Sequence, residues 1–259
     1  MRAVVRVDDF TVWGRHIRAG ERLSGFVASR KGLQGFLDGV DRQVQEQARP
    51  WRDGVFPVPS TMSGRVLSVD GIALARDWPE LMALRRQLMG VLSGGGFSTL
   101  AFDDGDRVYR TEVALLGKPV FTADRWVPDL ASFQIQFRAP DPYWLGDDRT
   151  VSVRVGQTST VFQYGTVEVA PVVKLVGPLN SGVRVTVGDR AFSFGRAVGS
   201  GESVTVDQAT MRAVSSTAGL VMGVVTGVPL RVPKRGEVPV SVSGGGSGRV
   251  EVRVVDAYV

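Results

Sequence analysis

Alternation between apolar and polar positions dominates the chain and is clearest just beyond its middle. The segment Phe133–Arg138 reads Phe-Gln-Ile-Gln-Phe-Arg, and this period of two predicts a strand with one buried face. Pro140 and Pro142 follow at once. Because proline donates no ladder hydrogen bond and restricts the residue before it, the pair predicts a stiff exit from the strand. We therefore expect two domains, residues 1–145 and 146–259, that meet at this joint.

Short valine-rich runs with the same period fill the chain after the joint. They are Val151–Val155, Val183–Val187, Phe192–Phe194, Val204–Val206, Val238–Val242 and Val250–Val254. Such runs, separated by turn residues, are typical of an antiparallel β-sandwich. The glycine-rich segment Gly244–Gly248 lies between the last two runs and predicts a flexible hairpin loop.

The first half predicts strands of a β-barrel-like domain together with one extended arm. Alternating groups at residues 3–27 and 62–74 indicate strands, and Asp70 with Gly71 is a favourable hairpin turn pair. Residues 32–59 combine helical spacing of apolar side chains with four glycines and three prolines. Since glycine and proline both disfavour a helix interior, we expect an extended or looped arm there.

One segment of the first half predicts an α-helix. Asp77 can cap it, Pro79 suits its first turn, and Glu80 adds a favourable negative charge near its N-terminus. The glycines of Gly94–Gly96 are expected to end it. Its apolar stripe consists of Leu81, Leu84, Leu88 and Leu92. The fold class is therefore mainly β with a single helix.

Composition and charge indicate a globular protein that does not grip nucleic acid. Of the 259 residues, 43% are hydrophobic and 22% are charged, with a formal net charge of +5. Basic residues number 19 against 17 acidic ones through Leu145, and 12 against 9 after it. No run of lysine or arginine appears, whereas nucleic-acid-binding proteins cluster such residues. We also expect a soluble protein, because charges interrupt the N-terminus and no apolar run is long enough to span a bilayer.

No residue predicts catalysis, cofactor binding or metal binding. The chain has no cysteine, which excludes disulfides, a thiolate nucleophile and cysteine-ligated zinc. His16, the only histidine, lies between Arg15 and Arg18, and these cations would repel a metal, so a surface or interface histidine is expected. Asp103–Asp106 lacks the glutamate spacing of a calcium-binding EF-hand and is expected to form a hairpin turn.

Two further motifs have a structural and a functional interpretation. Gly94–Gly96 follows a helix instead of preceding one, and no Gly-Lys-Ser/Thr accompanies it, so a phosphate-binding loop is not expected. Tryptophans are scattered through the first half, where a sugar-binding platform, burial and subunit contact are all compatible with them. They include Trp51, Trp78, Trp126 and Trp144. We expect Trp126 and Phe133–Phe137 to belong to the first core.

The order of these features resembles the distal tail protein family of long-tailed, siphovirus-type bacteriophages. The strand and joint of Phe133–Trp144 match the family's aspartate-proline-aromatic joint. Gly165–Pro171 and Ser203–Asp207 are similar to segments of the family's galectin-like C-terminal domain. The resemblance covers most of the chain and is weakest in residues 32–59.

The resemblance implies a non-enzymatic virion protein at the tail tip, assembled in the cytoplasm of the host bacterium. It implies a homohexameric ring that joins the tail tube protein to a tail-tip hub or tail-associated protein, and also to receptor-binding proteins or the tape measure protein. The N-terminal domains would form a belt around a lumen through which DNA passes without specific binding. No catalytic residue, cofactor or metal is implied. The near balance of charge in the first half agrees with unhindered passage of DNA.

Two alternatives belong to other functional classes. The sandwich pattern also suits a carbohydrate-binding module of a phage tail or cell-surface protein, although galectin-type sugar sites generally use a tryptophan and the second half has none after Trp144. A hydrolase or peptidase fused to a tail has the weakest basis, because the chain offers a single histidine and no cysteine.

Overall fold

Residues 4–14 and 24–259 are described by a computed structural model of the chain. Two compact units can be distinguished: the first ends at Trp144 and also includes Val259, and the second is Leu145–Tyr258. His16 lies outside the described residues, so the expectation about this side chain stays a prediction.

The first unit is built from strands and one helix. Its elements are β1 (Val4–Val7), β2 (Phe10–Trp13), β3 (Gly25–Gln34), β4 (Arg42–Gln43), β5 (Thr61–Met62), β6 (Arg65–Leu74), α1 (Trp78–Gly90), β7 (Ser98–Asp103), β8 (Val108–Leu115), β9 (Val120–Ala123) and β10 (Leu130–Ala139). Strands β8, β7, β1, β2, β3, β6 and β10 follow one another in this order, and pairing of β10 with β8 closes a seven-stranded barrel. The predicted barrel-like domain is thereby confirmed.

The strand before the joint supplies the centre of the first core, as its alternation predicts. Phe133, Ile135 and Phe137 are at most 3% exposed. The ring of Phe133 packs against Phe26 with centroids 5.0 Å apart, and Phe26 packs against Phe10 at 4.8 Å. These aromatic contacts join β2, β3 and β10, so the barrel interior is filled by side chains.

The hairpin expected at Asp70 and Gly71 is wrong, because both residues lie inside the ten-residue strand β6. Gly71 faces Phe133 of β10 in the strand register. A Cβ atom on Gly71 would lie 2.1 Å from the carbonyl oxygen of Val27 and 2.8 Å from the Phe133 ring. The glycine therefore makes room for a close strand approach and an aromatic ring instead of making a turn.

The predicted helix is present but ends earlier than expected. The Asp77 carboxylate accepts a hydrogen bond of 2.9 Å from the backbone N–H of Glu80, as a helix N-cap does. The helix stops at Gly90, and Leu92 adopts the left-handed conformation with φ of 49°. Val91 is buried, so the chain turns inward before it reaches Gly94–Gly96. Within the described residues, no helix is both long and apolar enough to cross a membrane.

The second unit is the predicted antiparallel sandwich. Its strands are β11 (Trp144–Arg154), which starts at the last residue of the first unit, β12 (Thr158–Phe162), β13 (Val172–Val176), β14 (Val183–Val187), β15 (Arg190–Phe194), β16 (Ser203–Asp207), β17 (Arg212–Ser215), β18 (Gly219–Val221), β19 (Val225–Gly227), β20 (Glu237–Ser243) and β21 (Arg249–Tyr258). One sheet has the order β18-β17-β16-β13-β21-β11 and the other β12-β20-β14-β15-β19. Alternate valines of both sheets form the core between them.

Gly244–Gly248 is not the flexible hairpin loop expected from its composition. It connects β20 in one sheet to β21 in the other. The backbone N–H of Gly248 donates to the carbonyl of Pro178 at 2.8 Å, and that of Asn180 donates to Gly245 at 2.9 Å. A Cβ atom on Gly248 would lie 2.3 Å from the carbonyl oxygen of Val176. The glycines thus allow a closely packed crossover between the two sheets.

Candidate assembly surface

The segment between β3 and β6 forms a two-stranded arm with an apolar surface. Strand β4 pairs with β5, and farther out Ala48 forms a bridge with Val55. At the tip, Trp51 is fully exposed and the Arg49 guanidinium lies 5.8 Å from the centre of the Phe56 ring. The exposed large apolar side chains of the arm are Leu37, Val44, Trp51, Val55, Phe56 and Val58.

The exposed apolar side chains of the arm are typical of a contact surface. Isolated two-stranded ribbons are marginally stable in water, and contiguous exposed apolar surface marks interaction sites in soluble proteins. Tryptophan is also one of the side chains enriched at the energetic centres of interfaces. The extended arm predicted for residues 32–59 is therefore a candidate contact surface.

A buried arginine fixes the base of the arm to the joint. Arg65, at the start of β6, is 4% exposed. Its Nη1 donates hydrogen bonds to the carbonyl oxygens of Gly35 at 2.8 Å and Asp38 at 2.7 Å. Its Nε and Nη2 donate longer bonds, of 3.4 and 3.3 Å, to the carbonyl of Pro142. One side chain thus holds the first residues of the arm and the last residues of the barrel unit.

The electrostatic environment of Arg65 shows that this burial is costly. Desolvation lowers the pKa of the guanidinium, and the nearby charge of Asp38 acts in the opposite direction. The carbonyl oxygens and the ring of Trp144, 5.6 Å away, replace the lost water. No sequence motif indicates a role for this arginine. The alternation of β6 nevertheless places Arg65 on the inward face with Leu67 and Val69.

At the joint, Trp144 is buried against aromatic side chains of the first unit. It is 5% exposed, and its ring centre lies 6.0 Å from those of Phe36 and Phe102. Phe36 belongs to the base of the arm, so the same aromatic cluster supports both features. Tyr143 is half-buried, and its backbone N–H donates to the Asp141 carboxylate at 2.9 Å.

A second apolar surface lies on the outside of the barrel. Trp126 is 91% exposed, so the expectation that it belongs to the first core is wrong. The reason is a turn between β9 and β10, in which the Asp124 carboxylate accepts hydrogen bonds from the backbone N–H groups of Trp126 at 2.7 Å and Val127 at 3.0 Å. This turn holds the tryptophan out in solvent.

The adjacent strand β9 is an end strand among the described residues. It pairs only with β10 there, and Val120 is exposed. A strand edge of this kind has free backbone donors and acceptors that another chain can pair with. Together, β9 and the Trp126 turn form a second candidate contact surface, which we call the β9 surface.

The polar motifs have local structural roles. In the turn between β7 and β8, the Asp103 carboxylate accepts from the N–H of Gly105 at 2.9 Å, and that of Asp104 accepts from Asp106 and Arg107 at 2.8 Å. These oxygens support the turn that the sequence predicts. Across residues 4–14 and 24–259, no group of three or more histidine, cysteine, aspartate or glutamate side chains could hold a metal ion.

The fold of the chain is similar to that of solved structures. No family model and no curated protein matches the sequence. The crystal structure of SPP1 Dit (gp 19.1), described as a paradigm of the hub adsorption apparatus in phages that infect Gram-positive bacteria, superposes with a TM-score of 0.73. The alignment covers 99% of both chains at 11% sequence identity. The chain has the fold of a phage distal tail protein.

The resemblance to the distal tail protein family is therefore confirmed at the level of the fold. A chain of the phage P2 baseplate in its activated conformation with calcium aligns over 98% of both chains, with 9% identity and a TM-score of 0.49.

Proposed function

We propose that the chain is a structural protein of a phage tail tip, a distal tail adaptor without enzymatic activity. The observation that carries the proposal is the correspondence with SPP1 Dit over 99% of both chains. A match of this extent covers the residues of both units and not those of one common domain alone. The adaptor would connect the tail tube to the host-recognition apparatus.

We infer that six copies of the adaptor assemble into a ring. A ring requires a heterologous interface, in which one surface of a subunit contacts a different surface of the next. The first unit offers two such surfaces, the arm with Trp51 and the β9 surface with Trp126. We infer that the arm of one copy lies along the β9 surface of its neighbour, where it would supply the missing strand partner and cover both tryptophans.

The absence of cysteine from the sequence makes this interface directly testable. A double variant, Arg52→Cys with Arg125→Cys, places one thiol beside the tip of the arm and one beside Trp126. Both arginines are exposed. Mild oxidation should link neighbouring copies into covalent species of up to six chains on a denaturing gel.

The single variants are the matched controls, because a chain with one thiol can form at most a covalent dimer. A ladder from the double variant that exceeds two chains supports a head-to-tail ring. Covalent dimers alone would indicate a two-fold contact, and an absence of intermolecular links would contradict the arm-to-β9 arrangement.

A further inference from the structure

A concavity of about 380 Å³ in the second unit is lined mainly by backbone and two arginines. Arg154 ends β11, and Arg249 begins the neighbouring strand β21. The remaining lining comes from Val155, Gly177 and the crossover residues 246–248. Because the crossover glycines are held by backbone hydrogen bonds and close packing, the floor of this concavity is fixed before any ligand arrives.

The positive charge of the concavity is only partly neutralised. The Nε of Arg249 donates to the Glu251 carboxylate at 2.9 Å, which occupies one of the five N–H donors of that guanidinium. For Arg154, no carboxylate of the described residues lies within ion-pair distance, and its side chain is exposed. Both guanidinium groups line the same concavity, and Glu251 supplies one negative charge against their two positive charges, so an anion held by both arginines would neutralise the remainder.

We propose that this concavity, the Arg154–Arg249 cleft, binds a phosphate group. Two guanidinium groups present more N–H donors than the two oxygens of one carboxylate can accept, whereas a phosphate group offers additional oxygens and charge. The exposed hydroxyl of Ser247 provides a further donor on the crossover. The proposal concerns the second unit alone and does not depend on ring formation or on the tail-tip function.

Isothermal titration of the full-length chain in phosphate-free buffer at low salt tests the cleft. The probes are inorganic phosphate and a soluble poly(glycerol phosphate), which distinguish a free anion from a phosphate group carried by a polymer. Polyglutamate serves as the carboxylate comparison. The decisive variant is Arg154→Gln, because this side chain is exposed and makes no hydrogen bond or ion pair with residues 4–14 or 24–259.

Saturable binding of at least one phosphate probe is expected, with affinity reduced about tenfold or more in Arg154→Gln and in Arg249→Gln. Arg184→Gln is the matched control, since it removes the same charge from an exposed position on β14 of the other sheet. Tighter binding of the polymer would identify a polymeric source, and binding of inorganic phosphate alone a free one. The proposal is overturned by no saturable binding, by equal binding of polyglutamate, or by an equal loss in Arg184→Gln.

Discussion

Replacing Arg65 with methionine should destabilise the first unit and loosen the base of the arm. The substitution keeps much of the side-chain length but removes the donors to Gly35, Asp38 and Pro142. The two short bonds, at 2.8 and 2.7 Å, are made by a charged group, and such bonds contribute about 1.5 to 3 kcal/mol each. The longer bonds to Pro142 add little. Relief of guanidinium desolvation offsets part of the loss, which leaves about 3 kcal/mol net.

Tryptophan fluorescence measures this effect without interference from the second unit, because all five tryptophans lie at or before Trp144. With a urea dependence of about 1 to 3 kcal/mol per molar, the unfolding midpoint of Arg65→Met should fall by about 1 to 3 M. Arg138→Met is the matched control, since Arg138 is an exposed arginine on β10 paired with Val66 beside the same site. A midpoint for Arg65→Met within about 0.3 M of wild type, or an equal fall in Arg138→Met, would refute the reasoning.

Two further changes test the strand packing of the first unit and the electrostatics of the second. Gly71→Ala should lower the urea midpoint measured by fluorescence at least as much as Arg65→Met does, because the new Cβ would lie 2.1 Å from the Val27 carbonyl oxygen. Gly39→Ala should leave the midpoint unchanged, because a Cβ there has no atom within 4 Å. Hydrogen bonds from Ser215 and from the backbone N–H of Gly199 lower the pKa of the Glu202 carboxyl group from 4.5 to about 2. The stabilisation by the ionised carboxylate is therefore present above pH 4.5 and is lost as the pH falls toward 2. Calorimetric unfolding between pH 6 and 3 should therefore show a smaller decrease in the free energy of unfolding for Glu202→Gln than for wild type. The exposed control Glu237→Gln should behave like wild type. Equal pH dependence in all three proteins would contradict the assignment.

The fold class was predictable from segments in which apolar and polar residues alternate, because there the apolar side chains are the buried ones. The valine runs of the second half form strands, and the Phe133–Phe137 strand fills the barrel. Each of these segments has one face in a core, so the local pattern and the tertiary environment agree. The sheet order was not predictable in this way, because alternation identifies a buried face and not the strand that lies beside it.

The errors concern residues whose role depends on contacts that alternation and composition do not report. Gly71 appeared to make a turn but accommodates the ring of Phe133, 62 positions later in the chain. Trp126 appeared to be a core residue, yet the neighbouring Asp124 turns it outward. Gly244–Gly248 appeared to be a hairpin because its two flanking strands are adjacent in sequence, but those strands belong to opposite sheets.

The candidate surfaces were only partly accessible from the sequence. The glycines and prolines of residues 32–59 indicated an arm, since they exclude regular structure. The role of Arg65 could not be inferred, because its partners are backbone carbonyls at three separate places in the chain. Every residue type carries a backbone carbonyl, so these partners of Arg65 cannot be recognised from the sequence. A salt bridge would instead have required an acidic residue.

Native mass spectrometry of the full-length chain tests the central claim, a homohexameric adaptor ring, most directly. The account predicts a dominant species of six copies of the 27.9 kDa chain at micromolar concentration. A species of one chain only across that concentration range, or a closed dimer that adds no further copies, would contradict it.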